Sequence, residues 1–340
     1  MNPVEPARQP SAPLVEVASL GMSFDVSAPR LERWVERKPR QRLHAVDDVS
    51  FSIERGQTLA LVGESGCGKS TVARLLMGLH RPSRGRVDFD GMPLHDTLAS
   101  GQSLALRRRM QMIFQDPYAS LNPRWRVRDI VAEPLLEHRL AQRGPDLQHQ
   151  VEGLLRSVGM DPADAAKYPH QFSGGQRQRI SIARAMATQP EFLVCDEPTS
   201  ALDVSVQAQV LNLMKDMQRA RGLTCLFISH NLAVVRHMSD QVGVMYLGRL
   251  VELADKRALF AQPRHPYTRM LMDAIPDMRM TGRARAPVHG EVPNPLAPPA
   301  GCAFHPRCPQ ANARCASERP VLQDFHGVRV ACHGVEEGRL

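Results

Sequence analysis

Gly63-Glu64-Ser65-Gly66-Cys67-Gly68-Lys69-Ser70 is the run whose residue types and spacing speak most directly of chemistry. Glycines at such intervals let backbone N–H groups curl around a phosphate, a lysine can reach the β and γ oxygens, and a hydroxyl can hold Mg²⁺. Lys69 and Ser70 stand at those last two positions, with Thr71 following. Val72, Leu75, Leu76 and Leu79 then recur at helical spacing, so the loop opens a helix whose N-terminal partial charge favours an anion. A second run, Phe192-Leu193-Val194-Cys195-Asp196-Glu197, reads as a buried strand ending in two carboxylates. Asp196 is the expected Mg²⁺ partner. Glu197, one step on and pointing the other way, is the expected group that polarises a water for in-line attack on a γ-phosphate.

These residues must be carried by elements that bring them to one edge. From Leu14 to about Phe260 short β-branched runs alternate with longer helical patterns, which predicts an α/β domain with a mainly parallel central sheet. Candidate buried strands are Thr58 to Val62, Gln111 to Phe114, Phe192 to Cys195, Thr224 to Ser229 and Gln241 to Tyr246. In such a sheet ligands bind at the carboxyl ends of the strands, where both chemical runs lie. Val206, Val210, Leu213, Met214 and Met217 predict a helix from Val204 that Gly222 ends. Between Tyr118 and Tyr168 the pattern turns helical, punctuated by Pro123, Pro134, Pro145 and Pro162, so an inserted helical subdomain is expected at about 117–180. Residues 28–42, with Arg30, Arg33, Arg37, Lys38, Arg40 and Arg42, are expected to form a loop-like, solvated arm. Proline density rises from Pro287 to Pro299 ahead of a cysteine-bearing tail.

At 340 residues the chain has room for one large core and an appended module. Lysine and arginine outnumber aspartate and glutamate by 43 to 35, a net charge of +8 that suits nucleic acid, an anionic surface or nucleotide phosphates and by itself chooses none. Met1 to Pro13 reads as a loose tail, neither an export signal nor an anchor. The longest apolar runs are strand-sized, so membrane association is expected to pass through a partner. The 7 cysteines point to a reducing compartment, where clustered thiols mean metal more often than disulfide.

Phe172-Ser173-Gly174-Gly175-Gln176, just ahead of a predicted helix, resembles the signature motif of ATP-binding cassette proteins. That resemblance implies a dimer in which Ser173, Gly174, Gly175 and Gln176 meet the γ-phosphate bound by the opposite subunit. Taken alone, Ser173 reads as a helix cap beside a glycine turn. Three further positions follow the family's order. Gln115 resembles the glutamine that contacts Mg²⁺ and the attacking water, Ser200-Ala201-Leu202-Asp203 the loop that talks across the dimer, and His230 the γ-phosphate-sensing histidine. Phe24 is the candidate for stacking on adenine. An antiparallel β subdomain beside the parallel sheet is implied as well.

Gln115-Asp116-Pro117-Tyr118-Ala119-Ser120-Leu121-Asn122-Pro123 and Arg264-His265-Pro266-Tyr267-Thr268 are similar to runs in the ATPase subunits of bacterial dipeptide and oligopeptide importers, features that nickel importers share. The implied layout is a flexible 1–13, a nucleotide-binding domain at 14–262 and a transporter-type C-terminal domain at 263–340. Implied partners are two membrane-spanning permease subunits, a related second ATPase or a second copy, and an extracytoplasmic solute-binding protein, with the chain on the cytoplasmic face of the inner membrane. Cys302, Cys308, Cys315 and Cys332, separated by five, six and sixteen residues, suit a soft metal centre. They lack the paired short gaps of a zinc ribbon, and the resemblance implies a [4Fe-4S] cluster, with zinc or free thiols as alternatives. Cys67, Cys195 and Cys225 read as small core residues. Two rivals stand beside this reading: a soluble cassette ATPase working on ribosomes or DNA, and a module that holds nucleotide without turnover.

Overall fold

The computed structural model describes residues 12–36, 39–273 and 290–340. Met1 to Ser11 of the expected loose tail, Arg37 and Lys38 of the basic arm, and Pro287 lie outside the described residues.

Five strands pair in parallel: β3 (Thr58–Val62), β6 (Met110–Ile113), β7 (Phe192–Asp196), β8 (Thr224–Ile228) and β9 (Gln241–Tyr246). They run from β9 to the edge strand β6 of an eight-stranded sheet in the order β11-β12-β10-β9-β3-β8-β7-β6, in which β10 is Arg249–Asp255, β11 Gln323–Phe325 and β12 Val328–Val330. Every residue of β3, β7 and β8 is buried. Such strands are apolar throughout because both faces are covered, and alternation then decides which core each residue enters. Ala60, Val62, Leu193, Cys195 and Phe227 join one hydrophobic cluster, while Leu59, Leu61, Phe192, Val194 and Leu226 join the other.

The second cluster is roofed by an antiparallel sheet, β2-β1-β4-β5, formed by β1 (Val15–Asp25), β2 (Arg42–Ile53), β4 (Arg84–Phe89) and β5 (Met92–Pro93). Helix Lys69–Leu76 lies in that cluster and buries Val72, Ala73, Leu75 and Leu76. The first cluster holds helix Val204–Arg221 together with helices Val127–Glu137, Pro145–Ser157 and Gly174–Met186 of the expected helical region. Gly222 ends helix Val204–Arg221 in the left-handed conformation (φ 60°), as its sequence predicts.

Two expectations change. Arg30–Glu36 of the basic arm is a short helix rather than a loop, because a run of good helix formers follows Pro29 without an internal glycine or proline. It is still solvated, with Trp34 and Val35 exposed. The tail, expected as an appended module, is built onto the main sheet. Strand β12 pairs antiparallel with β10, Glu252 opposite Val330, and Phe304 packs against Tyr246, Tyr267 and His265.

Candidate functional site

The phosphate loop leaves β3, and its glycines fit it closely against the end of β9 and against β2. A Cβ on Gly63 (φ 149°) would fall 2.2 Å from the Met245 carbonyl oxygen, and one on Gly68 (φ 105°) 2.2 Å from that of Ala45. Only glycine supplies that backbone and that clearance. Gly66, by contrast, would meet nothing within 4 Å. Leu247 and Gly248 both have positive φ, as a two-residue hairpin turn of this hand requires, and Gly248 donates its N–H to Cys67 O at 3.0 Å.

Above the loop opens a cleft of about 780 Å³. Ser65, Gly66, Gly68, Lys69, Ser70 and Thr71 line its floor, with Gln115, Glu197 and His230 on one side and Phe24 on another. Strand ends account for the convergence: Gln115 follows β6, Asp196 and Glu197 close β7, and His230 follows β8, all at the carboxyl edge of the parallel strands. Glu197 Oε2 lies 3.1 Å from His230 Nδ1 and accepts from Gln115 Nε2 at 3.4 Å. Ser70 Oγ donates to Asp196 Oδ1 at 3.0 Å. Burial pushes the Asp196 carboxyl above its ordinary value, and the Ser70 hydroxyl pulls it partly back. Lys69 is buried, with its ammonium folded onto the carbonyl oxygens of Gly63 at 2.8 Å and Glu64 at 3.0 Å.

The remaining expected residues lie elsewhere. Gly63 faces Met245, Cys67 is buried beneath the loop, and Glu64 turns its carboxylate to Arg307. Ser173 caps helix Gly174–Met186 reciprocally: its Oγ accepts from Gln176 N at 3.4 Å, and its own N–H reaches Gln176 Oε1 at 3.0 Å. Neither this turn nor Asp203, which starts helix Val204–Arg221, lines the cleft of the single chain. A Cβ on Gly175 would strike Val206 at 2.2 Å, so the glycine lets the two helices approach closely.

Leu43, His44, Ala45, Leu247, Gly248 and Pro295 also line the cleft and were not among the expected residues. Leu43 and His44 arrive through β1–β2 pairing, Phe24 opposite Leu43 and Ser23 opposite His44. The signal for Leu247-Gly248 was a glycine-bearing turn between two apolar runs; Pro295, distant in sequence, offered none.

Oxygen donors at Ser70 and Asp196 suit a hard divalent cation. The tail cysteines present a different picture. Burial pushes the Cys302 thiol up to about 11, with the neighbouring Cys332, Cys315 and Cys308 adding to it, and Cys302 N donates to Cys315 O at 2.8 Å. Among the described residues, however, no group of three or more His, Cys, Asp or Glu is placed to hold a metal ion, so the iron–sulfur and zinc expectations find no support in this geometry. The described residues also contain no helix long and apolar enough to cross a membrane.

Comparison with known proteins agrees with the cleft. Residues 46–200 match the family model described as ABC transporter, and residues 251–315 the one described as oligopeptide/dipeptide transporter, C-terminal region. The oligopeptide transport ATP-binding protein OppF of Salmonella typhimurium is 45% identical over 95% of this chain and 96% of its own length. The di/tripeptide transport ATP-binding protein DppF of Pseudomonas aeruginosa is 50% identical over 88% of this chain and 93% of its own. AppF of Bacillus subtilis, an oligopeptide transport ATP-binding protein, is 49% identical over 85% and 89%. Among solved structures, a dimeric ATP-binding cassette in a post-hydrolysis state with ADP and Pi superposes with a TM-score of 0.62 at 25% identity, covering 72% of this chain and 99% of that one.

Proposed function

The chain belongs to the ATP-binding cassette family, among its oligopeptide and dipeptide transport ATP-binding proteins, and from that premise we propose that its ATP hydrolysis energises peptide import through partner permeases. The observation that carries the enzymatic part is the meeting of Gln115, Glu197 and His230 around one carboxylate oxygen at the rim of a cleft floored by Lys69 and Ser70.

In this reading Phe24 stacks on the adenine, and the backbone N–H groups from Ser65 to Thr71 cradle the phosphates, with Gly63, Glu64 and Cys67 shaping the loop from behind. Lys69 leaves the carbonyl oxygens of Gly63 and Glu64 and reaches the β and γ oxygens. Ser70 and Asp196, with Gln115 beside them, would hold a Mg²⁺ ion, whose chemistry there would be to neutralise negative charge on the phosphate oxygens. Glu197 accepts a proton from a water that Gln115 helps orient. The water oxygen forms the new bond to phosphorus as the bond to the β-bridging oxygen breaks, and His230 holds Glu197 while sensing the γ-phosphate. The serine-glycine turn, Ser173 to Gln176, serves the cleft of a facing subunit, a second copy or a relative, and Asp203 lies on that dimer surface. ATP favours the closed pair, and hydrolysis releases it.

The permease contact falls on the groove between β6 and the helical region, about 450 Å³ and lined by Gln111, Phe114, Glu133, Glu137 and His138, one residue from Gln115. The extracytoplasmic solute-binding protein and the position at the inner-membrane face belong to the same proposal. Coordination of a [4Fe-4S] cluster or zinc by Cys302, Cys308, Cys315 and Cys332 rests on residue type and shared location alone, and iron, sulfide and zinc analysis of anaerobically purified protein decides it. The transport reading is tested by reconstituting the chain with its permease subunits in liposomes. ATP hydrolysis rising with peptide-loaded binding protein, and peptide accumulating inside, is expected. Copurification with RNA instead of membrane subunits, or uptake of nickel without peptide, would overturn it.

A further inference from the structure

Glu64 sits inside the phosphate loop, yet its side chain and its N–H both point away from the cleft, toward the tail. Arg307 Nη1 donates to Glu64 Oε2 at 2.8 Å and Nη2 to Oε1 at 3.0 Å, a two-pronged pair with the arginine side chain only 2% exposed. Arg307 Nη1 also reaches the Tyr246 hydroxyl at 3.4 Å, while Nε has no partner at all. From a second direction the Tyr267 hydroxyl accepts the Glu64 N–H at 2.8 Å. Tyr267 is fully buried against Tyr246 and Phe304, with ring centroids at 4.7 and 5.5 Å. Its own N–H is taken by His265 Nδ1 at 3.0 Å, and the buried Glu252 carboxylate on β10 accepts from Arg264 N at 2.8 Å and His265 N at 3.0 Å. The third polar group of Glu64, its carbonyl, accepts from Lys69 Nζ at 3.0 Å and from the Cys67 N–H at 3.3 Å.

The structure assigns Arg307 and Tyr267, both beyond the nucleotide-binding fold proper, as positioning residues for the phosphate loop: together they hold Glu64 so that the loop keeps its nucleotide-ready shape. The inference rests on the reading of the cleft as the ATP site. Its physical core is preorganisation. Lys69 must release the Gly63 and Glu64 carbonyls to meet phosphate, and at that moment the loop loses the ammonium that had tied its first turn together. The tail's grip on the other two polar groups of Glu64 is unaffected by that departure, so the N–H groups of Ser65 to Thr71 do not have to be reordered by the ligand. A guanidinium this deeply buried is costly to leave unpaired, so tail docking and loop geometry form one cooperative unit. The Arg264-to-Thr268 run, quoted above for its resemblance, thereby gains a mechanical target that it shares with Arg307.

Full-length Arg307→Gln, Arg307→Lys, Glu64→Gln, the Arg307→Gln/Glu64→Gln double variant and Tyr267→Phe are compared for ATP KM, kcat and thermal midpoint. Arg307→Gln is expected to raise KM about tenfold with kcat changed less than about twofold, and Arg307→Lys to recover part of that loss. The double variant should resemble the worse single variant because both report one contact. Tyr267→Phe, which removes only the hydroxyl, carries the test if Arg307→Gln does not fold, with a KM rise of about threefold expected. A lowered midpoint with unchanged KM in these variants, or additive effects in the double variant, overturns the inference and leaves Arg307 a mere anchor. Lys69→Ala runs alongside: if nucleotide binding survives it, the ATP reading itself falls, a result separable from any behaviour of Arg307.

Discussion

Replacing Glu197 with glutamine isolates proton acceptance from everything else that side chain does. Its Oε2 is an acceptor for Gln115 Nε2 at 3.4 Å and a neighbour of His230 Nδ1 at 3.1 Å, and the glutamine carbonyl oxygen can take both roles. Residue 197 has φ 46°, but the two side chains are identical at Cβ and Cγ, so the backbone strain is unchanged. Stability is therefore expected to move by less than about 0.5 kcal/mol, as for a substitution that breaks no packing. The chemical step loses its base. A positioned general base contributes roughly 10² to 10⁴ in rate, about 2.7 to 5.5 kcal/mol of barrier. The assay is phosphate release under single-turnover and steady-state conditions, paired with equilibrium ATP binding. Binding should match the parent within about threefold, while the rate at saturating ATP falls at least a hundredfold. A rate loss under tenfold, or an affinity loss as large as the rate loss, would falsify Glu197 as the base; His230→Ala then becomes the variant to examine.

Gly68→Ala places a Cβ 2.2 Å from the Ala45 carbonyl at φ 105°, whereas Gly91→Ala (φ 73°) meets nothing within 4 Å. The first should cost well above the roughly 1–2 kcal/mol of a left-handed non-glycine residue and abolish ATP binding. The second should cost about that figure and leave binding intact, as thermal melts and nucleotide titration will show. Asp47 draws Arg249, Arg84 and Arg319 together; burial alone would raise its pKa, but the Arg249 hydrogen bond and the arginine charges hold it below the usual aspartate value. A depressed folded pKa gives stability that is complete above about pH 4 and fades as pH falls through the folded value. Denaturant melts between about pH 5 and 3 should therefore show a steeper loss in the parent than in Asp47→Asn. Burial pushes the Cys225 thiol up to about 12, and those of Cys195 and Cys67 also upward. A maleimide at pH 8 should accordingly leave these three unlabelled in native protein and label all 7 cysteines after denaturation. Rapid native labelling of Cys195 or Cys225 would contradict the buried sheet.

What could be read without coordinates was whatever repeats locally. Strands Thr58–Val62 and Gln241–Tyr246 stand where the apolar runs put them, and the edges of the other three parallel strands differ by a residue, since hydrogen-bond pairing and not apolarity decides where a strand stops. Ser70, Asp196 and Glu197 were legible because a phosphate loop and the carboxyl ends of parallel strands must share an edge, whereas Gln115 and His230 entered through the family resemblance. The β1–β2 contribution of His44 and Leu43 to the cleft was not, because the pairing of these strands runs through register shifts that no local pattern encodes.

Glu64 shows where local reading stops being sufficient. Within the loop its position suggests a phosphate neighbour, and the spacing of the motif says nothing against it. What turns it outward is Arg307, 243 residues further along, and Tyr267, 203 residues along, each packed in the aromatic cluster with Tyr246 and Phe304. The buried Arg307 guanidinium takes both oxygens of one carboxylate, and Glu64 offers them. The loop's chemistry is thus written in eight adjacent residues, but the rigidity that makes it useful is written at the far end of the chain. A truncated chain ending near residue 262 would keep every motif around the cleft and should still bind ATP less tightly than the full protein; equal affinity in the two would show that the loop holds itself.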